Sequence, residues 1–128
     1  MKAEVITGIE ELKRQFSSSA FTVRDDGNGG AYVTMESISL GPRYRPESTW
    51  MGFHIPAQYP YADIYPVFIG ANTSRVDGVA FTAPVTPNHQ FENRSAIQVS
   101  RRSGAAQNGL QKATAKILKI LDFLEKMP

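Results

Sequence analysis

Residues 50–68, WMGFHIPAQYPYADIYPVF, restrict what this chain can fold into more than any other stretch. Met51, Phe53 and Ile55 share one face of a period-two pattern and Trp50, Gly52 and His54 the other, as in a half-buried strand. Pro56 ends that strand. From Ala57 to Pro66 the chain combines Tyr59, Tyr61 and Tyr65 with Pro60 and Pro66. Prolines cannot donate to a central ladder, so this part is an ordered connection, after which Val67, Phe68 and Ile69 resume a short strand.

The remaining elements are placed around that unit. Thr7 with Glu10 has the form of a capping box, and Ile9, Leu12 and Phe16 follow at helical spacing, predicting a first helix over residues 8–17. Three serines break it. Phe21 and Val23 then alternate with Thr22 and Arg24 as in a strand, and DDGNGG at 25–30 is a hairpin turn, because acids, Asn and Gly suit positive φ. A phosphate-binding loop would need a helix to follow, and none is predicted. The returning strand covers 31–40. Its apolar phase moves from Val33 and Met35 to Ile38 and Leu40, which predicts a bulge near Ser37. Gly41 and Pro42 close it.

Between Gly70 and Asn93 periodicity fades, and Gly70, Asn72, Gly78, Pro84, Pro87 and Asn93 predict a long irregular loop. RSAIQVS at 94–100 reads as a short extended segment. From Leu110, Ala113, Ile117, Leu121 and Leu124 recur at helical spacing, widened by Leu118, Ile120 and Phe123, while Lys112, Lys116, Lys119 and Asp122 are predicted to face solvent. Asn108 is the expected cap. Helix, four-stranded antiparallel meander, long loop and helix together make an α+β layer with helices over one face of the sheet.

The chain has 128 residues, 41% of them hydrophobic and 20% charged, which fits one globular domain over 1–128. Its net charge is +2 and its pI about 9.0, too mild to argue for nucleic acid. There is no cysteine, which excludes disulfides, thiolate metal sites and a thiol nucleophile. MKAEVITGIEELKRQF carries charges where a signal peptide needs an apolar run, and no window reaches spanning length, so a cytoplasmic protein is expected.

HIPAQYPY, then a proline and VF, resembles the signature of the ubiquitin-conjugating (UBC) fold, in which a strand ends at an apolar residue plus proline and leads through YPF and a proline-rich crossing into the next strand. The matching residues are Ile55, Pro56, Tyr59, Pro60, Tyr61, Pro66 and Phe68, preceded by the Gly41–Pro42 pair. The resemblance implies a UBC-like α+β domain without the later helices that many members carry. In that family the active segment reads HPN with the thioester-forming cysteine eight positions after the Asn. Here that Asn is Asn88, Thr86 stands for the His, and residue 96 is Ala; Ile97 falls on the apolar position that follows.

Family chemistry uses a thiolate because it attacks and leaves readily near neutral pH, with the Asn amide steadying the oxyanion or its loop. An alanine methyl can hold no thioester. The resemblance therefore implies either a noncatalytic UBC variant or a cysteine replaced by alanine. In both cases the implied partners are a ubiquitin-like protein, its activating enzyme and a ligase-like or target protein, with Tyr59, Pro60 and Tyr61 in the loop that binds ligases in the family. The ending of the chain and the run SRRSG at 100–104 look most like bacterial members linked to ubiquitin-like modification.

Other chemistry is less favoured. Ser95 has no His spaced to activate it. His54 and His89 with Asp63 or Glu92 lack ligand spacing, so no metal or other cofactor is expected. Arg75, Arg94, Arg101 and Arg102 with nearby aromatics could contact nucleic acid, but no nucleic-acid motif accompanies them. Aromatic residues such as Tyr59 and Tyr61 can also serve simply to seal a core edge.

Overall fold

The computed structural model describes residues 1–102 and 112–128. Helix α1 (Ala3–Gln15) precedes strands β1 (Phe21–Asp25), β2 (Ala31–Ser39), β3 (Tyr44–Arg45), β4 (Ser48–Ile55), β5 (Val67–Gly70), β6 (Ser74–Arg75), β7 (Val85–Phe91) and β8 (Arg94–Val99), and helix α2 (Ala113–Lys126) follows. An α+β architecture with a helix at each end of the order is thus observed. One six-stranded sheet runs β1-β2-β4-β5-β8-β7, with every neighbouring pair antiparallel, and β3 pairs with β6 in a small separate ladder.

The four strands of the expected meander are present in order, but the expected loop over 70–93 is not all loop. Val85–Phe91 and Arg94–Val99 form a hairpin that adds two strands to the sheet. Its first strand escaped the period-two reading because its register shifts between Thr86 and His89, where Asn88 takes φ +69°. The bulge expected near Ser37 is there, with Ser37 at φ +57° and the β2–β4 register shifting between Met35 and Ile38. Gly27 and Gly29 supply the positive φ of the 25–30 turn, and the carboxylate of Asp26 accepts from the N–H of Asn28 and Gly30.

Both helices lie on the face of the sheet that carries Val33, Met35, Met51, Phe53, Ile55, Val67, Ile69, Ile97 and Val99. Helix α1 contributes Val5, Ile9 and Leu12, and begins five residues earlier than the capping-box reading placed it. Thr7 is inside the helix and Lys2 occupies the N-cap without a side-chain cap bond, so burial of Val5 rather than capping chemistry sets the start. Helix α2 inserts Ala113, Ile117, Ile120 and Leu124. Two expectations for it are corrected. Lys116 is only 5% exposed because its ammonium reaches Asp63, at 3.2 Å, and the carbonyl of Arg101, at 2.7 Å; Leu118, placed on the apolar stripe, points outward. Asn108 and Leu110 lie outside the described residues.

Helix α2 has no side-chain cap of its own and is held instead by two distant tyrosines. Tyr59 Oη accepts the N–H of Ala113 at 2.9 Å, and Tyr44 Oη donates to the carbonyl of Leu124. Arg43 Nη1 adds a bond to the carbonyl of Glu125 at 2.7 Å. Orphan groups at the two ends of one helix are thereby satisfied by the segments flanking β4. None of the described helices is long and apolar enough to cross a membrane.

Candidate functional site

The face of the sheet away from the helices is built by the alternation already visible in β4. Trp50, Gly52 and His54 point to it, joined by Tyr32 from β2, Phe68 from β5, Ala96 from β8 and Phe91 from β7. Phe91 sits at the centre, with ring centroids 5.2 Å from Phe68, 6.1 Å from Trp50 and 6.3 Å from Tyr32. Its reach depends on Gly52. A Cβ there would stand 2.4 Å from Phe91 Cε2, and one at Gly70 would meet Thr49 Oγ1 at 2.4 Å and Trp50 Nε1 at 3.0 Å. Both strand glycines thus leave room for neighbouring side chains, Phe91 above all at Gly52, to approach the backbone closely.

The turn between β7 and β8 folds back across this face as far as β1 and β2. Glu92 pairs with Arg24 at 2.8 Å, and Arg94 pairs with Glu36 at 2.7 Å. Each arginine also covers an aromatic ring, Arg24 at 4.3 Å from the Tyr32 centroid and Arg94 at 4.6 Å from that of Trp50. His54 packs against Tyr32, tilted by 36° with centroids 4.7 Å apart, and pairs through Nε2 with Asp26 at 2.7 Å. That hydrogen bond, supported by backbone N–H groups of the turn, holds the Asp26 carboxyl below its ordinary range.

Ala96 is 0% exposed, in the middle of β8, paired with Gly70 on one side and His89 on the other and clustered with Trp50 and Phe91. Asn88 is its diagonal neighbour on β7, exposed at the bulge, so the structure brings the two residues together. Beside them is a groove of about 300 Å³ lined by Pro87, Asn88, Gln90 and Ser95. Thr86 Oγ1 is 3.0 Å from His89 Nε2, which occupies that imidazole nitrogen away from Ser95. Ala96 itself borders this groove, yet it is 0% exposed and its side chain packs with Trp50 and Phe91.

The three loop residues separate. Tyr59 is 4% exposed and sealed against α2, where burial pushes its hydroxyl pKa up; Pro60 is also buried. Tyr61 is 77% exposed. Only Tyr61 can therefore offer a ring to a partner, and the core-sealing role falls to Tyr59. Of the arginines considered for nucleic acid, Arg75 is paired with Asp77 at 2.6 Å and Arg94 with Glu36, while Arg101 and Arg102 lie over Phe123 and Tyr65. No group of three or more His, Cys, Asp or Glu capable of holding a metal occurs among the described residues, and His54 and His89 stand apart in separate contacts.

The aromatic layer is the feature that sequence reasoning passed over. Its signal was present in Gly52 and Gly70, since a glycine inside a strand marks a close approach. Comparison with protein-family models, with curated proteins and with solved structures found no match to this chain.

Proposed function

We propose that this chain is a noncatalytic UBC-like binding module that docks a ubiquitin-like protein or a partner enzyme of a bacterial type of ubiquitin-like modification pathway. The reading rests on the resemblance of residues 41–68 and 87–99 to that family, and on a helix followed by an antiparallel meander with YPY at the crossing. One observation favours binding over conjugation. A chain without cysteine holds, at the position aligned with the family nucleophile, an alanine that is 0% exposed beneath Trp50 and Phe91. Thioester transfer needs a thiolate that a protein-sized carbonyl can reach, and neither condition is met.

Removing the covalent step leaves recognition. Tyr61, exposed on a proline-rich connection whose neighbours Tyr59 and Pro60 are anchored in the core, is a rigidly presented aromatic of the kind that concentrates binding energy. Titration with a cognate ubiquitin-like protein and, separately, with its activating enzyme tests this. Reversible binding to one of them is expected, with Tyr61→Ala weakening it by about tenfold or more and leaving Tm unchanged. Absence of binding to both would overturn the reading.

A further inference from the structure

Where β8 ends, the chain places Arg101 and Arg102 against the outer turns of α2, opposite Lys119 and the nearly buried Lys116. These four cations border a concavity of about 270 Å³. The guanidinium of Arg101 lies 4.6 Å from the Phe123 centroid and that of Arg102 3.9 Å from the Tyr65 centroid. A guanidinium lying on a ring keeps its N–H edge free to bond sideways, and the ring fixes its plane. Lys116 strengthens the arrangement from below by donating to the carbonyl of Arg101 at 2.7 Å, which fixes the main chain carrying both arginines.

The charges are unbalanced in a way that a folded surface does not require. Among the described residues Arg101, Arg102 and Lys119 have no carboxylate within ion-pair distance, and Asp122, which also lines the concavity, is engaged by Lys126 at 3.0 Å. Guanidinium groups held over rings and a nearby ammonium, bordering a concavity with room for a phosphate group, supply the donors that phosphate takes.

We propose that Arg101, Arg102 and Lys119 form a binding pocket for a phosphate group, carried by a soluble phosphate ester or by a lipid headgroup. The two arginines supply bidentate N–H donors, Lys119 a third charge, and Lys116 acts as a positioning residue. The pocket lies on the helix-bearing side of the molecule and does not depend on the proposed docking function.

The test uses the full chain and inorganic pyrophosphate as probe, following the arginine Nε–Hε resonances by NMR at constant ionic strength. Saturable shifts of the Arg101 and Arg102 signals are expected, and Arg102→Gln or Arg101→Gln should weaken binding by about tenfold, the loss of one charge-assisted bond. Arg14→Gln, an exposed change on α1, should leave it unchanged. Parallel flotation with vesicles containing phosphatidic acid identifies the source: capture that the same arginine variants abolish assigns a lipid headgroup, and pyrophosphate binding without capture assigns a soluble ester. Shifts that sodium chloride reproduces, equal affinity in the arginine variants, or binding of polyglutamate in place of either phosphate probe would overturn the proposal.

Discussion

At position 52 a methyl group would meet Phe91 Cε2 at 2.4 Å, in a layer where Phe91 packs against Phe68, Trp50 and Tyr32. Gly52→Ala is therefore expected to cost about 1–3 kcal/mol in urea unfolding, the usual range for overpacking, and Phe91→Leu should recover part of that loss in the double variant. Additive losses would contradict the close approach. Position 96 is constrained by the same rings, so the thiol of an Ala96→Cys variant should resist alkylation in native buffer and react fully in denaturant. Asp26 titrates in the same region of the fold. Its folded-state pKa is depressed mainly by the His54 hydrogen bond, so its contribution to stability is present above the unfolded carboxylate value of about 3.9 and is lost as pH falls through the folded value. Asp26→Asn should flatten the fall in stability below about pH 4, with Asp25 and Asp77, also depressed, keeping part of it.

Among the elements, α2 and the β7–β8 hairpin depend most on residues distant in the chain. Tyr59→Phe removes the acceptor for the Ala113 N–H in a buried setting and is expected to destabilise the protein by about 1–3 kcal/mol in denaturant titration. For the hairpin, the apolar plug should outweigh the ion pairs. Phe91→Ala is expected to cost about 3–5 kcal/mol, whereas Glu92→Gln, which breaks an exposed pair, should cost less than about 1 kcal/mol. β4 and β5, the bulge at Ser37 and the 25–30 turn were legible because each is written in local alternation or turn chemistry. β7 was not, since a bulge at Pro87 and Asn88 interrupts its period and its pairing with β8 comes from tertiary context. The start of α1 was misplaced for a related reason: burial of Val5 overrides the capping box at Thr7. Lys116 looked like a solvent-facing lysine because the partners that draw it inward, Asp63 and the Arg101 carbonyl, are far away in sequence.

For the molecule as a whole, the sequence carried the α+β order and the adjacency of Asn88 and residue 96, while the aromatic cover over that position emerged only from the fold. On the proposed reading, that cover would close position 96 to covalent transfer and place recognition on exposed surface such as Tyr61. The central claim is that this domain binds without conjugating. It is tested most directly by incubating the chain and its Ala96→Cys form with a cognate activating enzyme, ATP and ubiquitin-like protein and resolving the products on nonreducing gels. The account predicts no thiol-sensitive adduct on either form while the activating enzyme itself charges normally. An adduct that appears on Ala96→Cys and disappears with reductant would contradict it, placing a working thioester site at residue 96.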